Sequence, residues 1–310
     1  MKVLITGGAG FIGSQIADSL IENGYKVVII DDLSTGKRAF VHPKAKFYHL
    51  DIRDSRLKSV FSEERPDVVC HQAAQVSVRK SVEDPLNDAN INIFGTLDLL
   101  KLALTHGVKR IIFSSTGGAI YGEQERFPAD ETHPTRPLSP YGITKLAVEN
   151  YLYYYHAHYN IDYVVLRYAN VYGPRQDPYG EAGVVAIFTE HMLSGKPPTI
   201  NGDGEQTRDF IYVGDVVAAN LAALNFSGSD IFNIGTGVET SINQLFQQIA
   251  NLTQYKGEKI MGPAKKGEQK RSVISPKKAM QVLNWQPKTS LQEGLQKTVE
   301  YFSLIRKQKQ

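Results

Sequence analysis

The sequence contains little cysteine, no long apolar run and no strong excess of either charge. Cys70 is the one cysteine among 310 residues, and it lies in an apolar segment, so no disulfide framework is expected. No apolar run approaches the roughly 20 residues that a membrane-spanning helix needs, and the first residues lack the apolar core of a secretion signal. These absences predict a cytoplasmic protein.

The composition also gives no support to two classes of partner. The 35 basic and 32 acidic residues leave a net charge of +3, so neither a nucleic acid nor a membrane surface is expected as a partner. The eight histidines do not have the spacing of metal ligands, so no metal site is expected. Hydrophobic residues make up 42% of the chain, which is enough for the core of one large α/β domain or two smaller ones.

Residues 3–13 have the pattern of a short buried strand that turns tightly into a helix. Gly7, Gly10 and Gly13 repeat every three residues in this turn. Such glycines permit the turn itself, the approach of a pyrophosphate to the backbone and close packing of the helix on the strand. The positive end of the helix then faces the anion. Because any tight strand-to-helix turn can contain glycines, this pattern alone is a weak indication of a nucleotide site.

Asp31 strengthens the nucleotide interpretation. A helix and a second predicted strand, residues 26–30, lead from Gly13 to Asp31. A carboxylate at this position can accept hydrogen bonds from both ribose hydroxyls of an adenosine. Its negative charge opposes a 2′-phosphate, so NAD is favoured over NADP, although Lys37 and Arg38 lie nearby in the sequence.

Predicted strands and helices alternate along the first half of the chain. This order is typical of a doubly wound parallel sheet with helices on both faces. We therefore expect an α/β fold with a Rossmann-type domain over residues 1–171, to which segments near 208–236 return, and a smaller C-terminal α/β lobe over residues 172–310. The predicted strands cover residues 3–5, 26–30, 47–50, 67–71, 110–113 and 163–166, and the long helices cover residues 90–106 and 141–159.

Tyr141 and Lys145 are candidate catalytic residues. They are four residues apart on a predicted helix and therefore lie on one face of it. A lysine ammonium lowers the pKa of a nearby phenol, which is ordinarily about 10, so that tyrosine can act as a base near neutral pH. Thr116 ends a strand upstream, and its hydroxyl could bind a substrate oxygen beside Tyr141. An isolated pair of this kind is more often part of an ordinary surface helix, but the nucleotide motif upstream favours an active site.

These motifs occur together in the extended short-chain dehydrogenase/reductases, and the chain resembles that family. The similarity rests on the glycine-rich turn, on Asp31 and on residues 114–116 and 141–145. Residues 166–175 and 202–210 resemble the UDP-glucose 4-epimerases in particular, and the similarity covers nearly the whole chain. The resemblance implies an isomerase that holds NAD tightly and inverts C4 of a UDP-hexose through a 4-keto intermediate. The implied substrates are UDP-glucose and UDP-galactose.

The resemblance also implies roles for the candidate catalytic residues. Tyr141 would take the proton from the sugar 4-hydroxyl while hydride passes from C4 to NAD, and Lys145 would bind the nicotinamide ribose. Thr116 occupies a position that is serine or threonine in the family. The segment after Thr116 differs from the usual family sequence and is one residue longer, so Ser115 is an alternative for the hydroxyl.

Other reactions of the family are less well supported by the sequence. Sugar-nucleotide dehydratases carry an Asp-Glu pair where this chain has Gly117 and Gly118, and decarboxylating relatives have a glutamate nearby that is also missing. A UDP-uronate 4-epimerase remains an alternative, because it differs only in how the C6 carboxylate is held. A non-catalytic NAD-binding regulator is the second alternative, although it would be expected to lose Tyr141 or Lys145.

The resemblance further implies which residues bind NAD and the nucleotide sugar. Arg208 is expected to bind phosphate, because a guanidinium is always charged and can bind bidentately. Lys265 stands where the family usually has arginine, and Glu268 would meet the uridine ribose. Ser272 stands where some members have a bulky tyrosine, so N-acetylated sugars should also fit. The implied cofactor-binding residues are Gly7, Gly10, Phe11, Ile12, Gly13, Asp31, Asp32, Leu33, Ser34, Thr35, Gly36, Asp51, Ile52, Ala73, Ala74, Gln75, Asn92, Ser114, Tyr141, Lys145, Tyr168 and Val171. The implied substrate-binding residues are Thr116, Asn170, Val184, Thr199, Asn201, Arg208, Lys265, Glu268 and Ser272.

The two long predicted helices indicate how the chain assembles. The helix over residues 141–159 carries a tyrosine-rich face that includes Tyr151, Tyr154 and Tyr155, and the helix over residues 90–106 has an apolar face. In the family such helices pair as an intersubunit four-helix bundle, so we expect a homodimer. The alternative is that both faces simply pack on the sheet.

Overall fold

The computed structural model describes residues 1–179, 183–264 and 269–309. A single turn of 3₁₀-helix covers residues 38–40, and a π-helical turn covers residues 90–94. The strands are β1 (Lys2–Thr6), β2 (Lys26–Asp31), β3 (Lys46–His49), β4 (Val68–His71), β5 (Arg110–Thr116), β6 (Asp162–Tyr168), β7 (Asn170–Tyr172), β8 (Thr199–Asn201), β9 (Thr207–Arg208), β10 (Phe210–Tyr212), β11 (Asp230–Ile234), β12 (Thr240–Ser241), β13 (Ile260–Gly262) and β14 (Arg271–Ser272). The α-helices are α1 (Phe11–Glu22), α2 (Leu57–Glu64), α3 (Val78–Glu83), α4 (Pro85–Ala89), α5 (Gly95–Thr105), α6 (Gly117–Ile120), α7 (Pro140–Tyr159), α8 (Val184–Leu193), α9 (Val213–Asn225), α10 (Ile242–Thr253), α11 (Lys277–Val282) and α12 (Leu291–Lys309).

The main sheet contains seven parallel strands in the order β11-β6-β5-β4-β1-β2-β3. The strand order reverses beside β1, because β2 and β3 lie on one side of it and β4, β5 and β6 lie on the other. Such a reversal leaves a crevice at the carboxyl ends of the strands, and ligands of open α/β sheets bind there. The predicted Rossmann-type doubly wound sheet is confirmed.

The side chains of β1 show how the sheet is covered on both faces. Val3 and Ile5 join a core with α1 and α9, whereas Leu4 joins a second core with α2, α5 and α7. All three side chains are completely buried. Burial of each apolar side chain contributes about 1.5–3 kcal/mol, so the run of three apolar residues anchors the strand between two helical layers.

A third core holds the C-terminal part of the chain together. It includes Tyr172, Phe188, Ile200, Leu245 and Leu295, which bring α8, α10 and α12 together. Short sheets surround this core, with β9 between β12 and β14, and β8 paired with β13.

Of the two strands expected to return to the main sheet, β11 joins it and β10 does not. Strand β11 lies at the edge of the sheet beside β6. Strand β10 instead pairs with β7 in a separate two-stranded sheet. Helix α9 packs on α1 and covers one face of the main sheet.

Each of the two long helical segments begins at a proline, and the side chain of the residue before that proline caps the helix. Asp84 accepts a hydrogen bond from the Asn87 N–H at 3.0 Å before Pro85, so this helical segment starts earlier than the predicted residue 90. Ser139 caps α7 in the same way, and Asn160 ends α7 in a left-handed conformation. Within the described ranges, no helix combines the length and the apolar character that a membrane crossing requires.

Candidate active site

The turn between β1 and α1 forms the floor of the crevice. Gly7 has a φ of +69°, which strains other residue types, and a Cβ there would lie 2.7 Å from the Ala73 nitrogen. A Cβ on Gly13 would collide with the Gly7 carbonyl oxygen. Helix α1 begins at Phe11 after Gly10, with neither a side-chain cap nor an acidic residue in its first turn. The first N–H groups of α1 are therefore left for an anion.

Asp31 ends β2 beside this turn. Its carboxylate oxygens accept hydrogen bonds from the backbone N–H groups of Ala9 at 2.9 Å and Leu33 at 2.8 Å. Burial raises the pKa of the Asp31 carboxyl, and these two hydrogen bonds oppose the rise. A Cβ on Gly36 would lie 2.6 Å from a carboxylate oxygen, so the absence of a side chain at residue 36 leaves room beside Asp31. The carboxylate is thus a fixed acceptor at the edge of the crevice.

The other candidate cofactor residues lie along the same edge or in the loops beside it. Parallel pairing of β1, β4, β5 and β6 brings the ends of these strands together. The Ala73 N–H donates to Thr6 Oγ1 at 3.2 Å, and the buried Tyr168 hydroxyl accepts from Asn220 Nδ2 at 2.8 Å. Residues 32–36 form the loop after β2. The remaining candidates occupy loop positions, as in Asp51, Ile52, Ala74 and Gln75, or helix and strand positions, as in Ile12, Asn92, Ser114 and Val171.

Tyr141, Lys145 and Thr116 come together at the carboxyl ends of β5 and β6. The Thr116 side chain lies close enough to the Tyr141 hydroxyl to lower the pKa of this phenol. Lys145 Nζ donates to the Ser114 carbonyl oxygen at 2.8 Å and lies 6.0 Å from the centre of the Tyr141 ring. The Ser115 hydroxyl, the alternative to Thr116, instead donates to a buried Glu149 oxygen at 2.6 Å. The structure therefore places Thr116, and not Ser115, beside the phenol.

The charge state of Tyr141 differs from the expectation. Burial raises the pKa of Tyr141, the negative charge of Asp88 raises it further, and the nearby Thr116 side chain opposes the rise. Burial lowers the pKa of Lys145 to about 8, against the effects of Asp88 and Glu149. The predicted lowering of the Tyr141 pKa is thus wrong for the protein alone, because desolvation and the charge of Asp88 dominate the shift. An additional positive charge bound beside Tyr141 would favour its ionised form.

Two glycines, Gly117 and Gly118, follow Thr116. A Cβ on Gly117 would lie 2.6 Å from Ile274, so this position is closed to larger side chains. A Cβ on Gly118 would lie 3.7 Å from Asn170 Oδ1 and 3.9 Å from Thr116 Oγ1. Gly118 therefore opens toward Thr116 and Asn170, two of the candidate substrate residues, and supplies neither an acid nor a base.

The described candidate substrate residues of the C-terminal part lie on short strands and at the start of α8. Ser272 in β14 is buried and is aligned with Arg208 in β9. The Arg208 guanidinium also donates to the Thr207 carbonyl oxygen at 2.8 Å. Thr199 and Asn201 are the two ends of β8, and Val184 is the first residue of α8. Lys265 and Glu268 lie outside the described residues.

Sequence reasoning misses three buried charged residues near the site. Glu149 forms an ion pair with Arg167 in which Arg167 Nε and Nη2 donate to the two carboxylate oxygens at 3.0 and 2.5 Å. Asp88 is completely buried in α4. The spacing of four residues between Lys145 and Glu149 is a signal that could have identified Glu149, because it places both on one helix face. No local pattern marks Asp88 or Arg167.

Comparisons with known proteins agree with this geometry. Residues 3–235 match the NAD dependent epimerase/dehydratase family. A putative UDP-glucose 4-epimerase from Methanocaldococcus jannaschii is 50% identical over 299 residues, which cover 96% of this chain and 97% of the relative.

Solved structures are similar over nearly the whole chain. The UDP-glucose 4-epimerase of Thermotoga maritima with UDP-glucose has a TM-score of 0.97 and 52% identity, covering 99% of this chain and 100% of that one. The UDP-glucose 4-epimerase of Thermus thermophilus in complex with NAD has a TM-score of 0.93 and 47% identity, covering 98% and 99%. Since the match to the family includes most of the chain and these relatives align end to end, the protein belongs to the NAD dependent epimerase/dehydratase family.

Proposed function

We propose that this protein is a UDP-glucose 4-epimerase, an isomerase that interconverts UDP-glucose and UDP-galactose with bound NAD. The proposal is supported by the grouping of Tyr141, Lys145 and Thr116 at the end of the sheet crevice, next to two glycines that provide no acid or base for dehydration. The relatives from M. jannaschii, T. maritima and T. thermophilus, which are 47–52% identical to this chain, are named for the same reaction.

The crevice fits a dinucleotide. The uncapped start of α1 would receive the pyrophosphate, and the Asp31 carboxylate would accept hydrogen bonds from the adenosine ribose. Lys145 would donate to the nicotinamide ribose. When bound, NAD supplies a reversible hydride acceptor for C4 of the sugar.

The side chains of this protein then provide the proton transfer. Tyr141 would accept the proton of the sugar 4-hydroxyl and return it after the 4-keto sugar has turned over, while Thr116 orients the reacting oxygen. Ionisation of Tyr141 requires compensation for its burial, and the ammonium of Lys145 contributes positive charge at the site.

The nucleotide sugar would lie across the C-terminal part of the chain. We propose that Arg208 binds the diphosphate and that Thr199, Asn201 and Val184 lie along the uridine. Ser272, aligned with Arg208, would face the sugar C2 substituent and leave room for an acetamido group. The contacts of Lys265 and Glu268 stay predictions, as does the division into lobes at residues 1–171 and 172–310.

We also propose that the protein is a homodimer in the cytoplasm. Helices α3, α4 and α5 and the π-helical turn before α5 pack against α7, and this group presents exposed apolar side chains, among them Val82, Leu86, Phe94 and Ile143. A two-fold pairing of α5 and α7 would bury this surface in a four-helix bundle. The one cysteine, Cys70, is a free buried thiol, as is usual in a reducing compartment.

A substrate panel tests the proposed function. The protein as purified is incubated with UDP-glucose, UDP-galactose, their N-acetyl forms and UDP-uronates, and the products are separated by chromatography. We expect interconversion of UDP-glucose and UDP-galactose without added cofactor. The nucleotide released by acid should be NAD, because Asp31 opposes a 2′-phosphate. Turnover of uronates alone would favour the uronate epimerase, and folded protein that carries NAD but converts no sugar would favour a regulator.

A further inference from the structure

Asp88 is a buried carboxylate whose hydrogen-bond partners are all neutral. Its oxygens accept from Gln75 Nε2 at 2.8 Å, from Asn92 Nδ2 at 3.1 Å and from Thr144 Oγ1 at 3.0 Å. Among the described residues, no lysine or arginine forms an ion pair with it. A buried carboxylate of this kind is costly to maintain, so its presence beside the candidate active site calls for a reason.

The side chains around Asp88 are held so that they present hydrogen-bond donors to its carboxylate. The Ser77 N–H donates to Gln75 Oε1 at 2.6 Å, and the Gln75 N–H donates to Asn92 Oδ1 at 2.9 Å. Both amide oxygens are therefore occupied, and both amide NH₂ groups must point toward Asp88. The side-chain amides of residues 75 and 92 therefore act toward Asp88 as donors and not as acceptors.

The charge of Asp88 acts on both candidate catalytic residues. It raises the pKa of Lys145 and the pKa of Tyr141, and its partner Thr144 lies in the helix turn between these two residues. Burial of Lys145 acts in the opposite direction and lowers its pKa to about 8. Without the charge of Asp88, the pKa of Lys145 would be lower, and a smaller fraction of Lys145 would be protonated at neutral pH.

Two other titratable groups face Lys145, but neither can replace Asp88. Glu149 on the same helix is already paired with Arg167. His71 at the end of β4 is buried, and burial together with the charge of Lys145 lowers its pKa to about 3, so it is neutral near pH 7. Of the two acidic groups near Lys145, Glu149 is paired with an arginine. Asp88 forms no ion pair with a lysine or arginine in the described part of the chain.

We propose that Asp88 is a positioning residue that acts through Lys145, holding its buried ammonium in the charged state that binds the cofactor ribose. The role of Lys145 rests on the proposed function. Because Asp88 also opposes ionisation of Tyr141, its carboxylate sets the pH range in which Lys145 is charged and Tyr141 can accept a proton.

The Asp88→Asn substitution removes the charge and keeps the size of the side chain. Loss of a negative charge makes a cation easier to deprotonate and a phenol easier to ionise, so the pKa values of Lys145 and Tyr141 should both fall. Both limbs of the pH-rate profile should then move to lower pH, by about one unit. A residue with a merely structural role would lower the rate without moving the profile.

The titration of Lys145 gives a readout that does not depend on turnover. In full-length protein with ¹³C-labelled lysine, the Cε signal of Lys145 is assigned by its loss in Lys145→Arg and followed against pH. We expect the midpoint to fall by about one unit in Asp88→Asn. It should return toward wild type in Asp88→Glu, which keeps the charge, and stay unchanged in Glu22→Gln, which removes an exposed charge at the far end of α1.

Equal midpoints in wild type and folded Asp88→Asn would overturn the proposal. If Asp88→Asn fails to fold, Asp88→Ser provides a second neutral variant with the same expected shift. Thr144→Val removes one hydrogen bond to Asp88 but no charge, and a shift as large as that of Asp88→Asn in this variant would also contradict a role for the charge. A wild-type protein without epimerase activity would refute the proposed function, yet the Lys145 titration would still decide the role of Asp88.

Discussion

At the scale of single residues, Tyr141 is the proposed proton acceptor. Tyr141→Phe removes the hydroxyl near Thr116 and leaves the ring in place. We expect turnover to fall by roughly 10²–10⁴-fold, as for loss of a general base, with bound NAD retained. The control is Tyr153→Phe on the same helix, since Tyr153 is 64% exposed and makes no contact with the site. Near-normal turnover in Tyr141→Phe would exclude it as the base.

The size of the side chain at residue 272 is expected to limit which substituents at C2 of the sugar can bind. A tyrosine at this buried position would fill the space expected for an acetamido group. Wild type should epimerise both UDP-glucose and UDP-N-acetylglucosamine, and Ser272→Tyr should lose mainly the N-acetyl activity. Contact at one substituent is worth only about 1–3 kcal/mol, so a loss of about 10–200-fold is expected. Rates on both sugars for both proteins provide the test, and equal losses on the two sugars would contradict it.

Sequence motifs were sufficient to identify residues whose roles depend on local spacing. The pair Tyr141 and Lys145 lies within one helix turn, and the structure brings it to Thr116 as expected. Asp88 could not be found in this way, because its environment is assembled from residues 75, 92 and 144. The direction of the Tyr141 pKa shift was also beyond the sequence, since it depends on burial by several elements.

At the scale of elements, the Glu149 and Arg167 pair joins α7 to β6. Both side chains are almost completely buried, and Glu149 also holds Ser115 in β5. Glu149→Gln would leave the Arg167 charge without a partner, and we expect about 3–5 kcal/mol less stability. Glu149→Gln with Arg167→Met should recover part of that loss, because no unpaired charge remains.

Urea unfolding measures these changes in the free energy of unfolding. The matched control is Glu83→Gln, which breaks the exposed pair between Arg79 and Glu83 in α3. Exposed pairs contribute only about 0.2–1 kcal/mol, so this variant should unfold close to wild type. Similar effects of the buried and exposed substitutions would show that the pair does not anchor α7.

The elements themselves were predictable where hydrophobic pattern and capping signals were local. Strand β1 and helix α7 follow from an apolar run and from Ser139-Pro140. The earlier start of the helical segment at Pro85 was missed although Asp84-Pro85 is a recognisable start signal. The pairing of β10 with β7 was not predictable, because no local sequence pattern specifies which strands pair.

At the scale of the whole molecule, the exposed apolar surface of α4, α5 and α7 predicts a dimer. Light scattering should give twice the chain mass of 34.5 kDa at micromolar concentration. Phe94→Glu, at a side chain that is 60% exposed, should give monomers, because a charge would be buried at the contact. Val238→Glu, equally exposed but in the C-terminal part, should remain dimeric. A wild-type monomer would refute the assembly.

In the proposed reaction, bound NAD and Tyr141 invert C4 of a UDP-hexose without releasing the hydrogen to solvent. The most direct measurement uses UDP-galactose that carries deuterium at C4, mixed with the protein as purified and with no added cofactor. We predict that UDP-glucose forms and that its C4 keeps the deuterium, as mass spectrometry and NMR of the product would show. Loss of the label to water, or an NAD-loaded and folded protein that forms no UDP-glucose, would contradict the account.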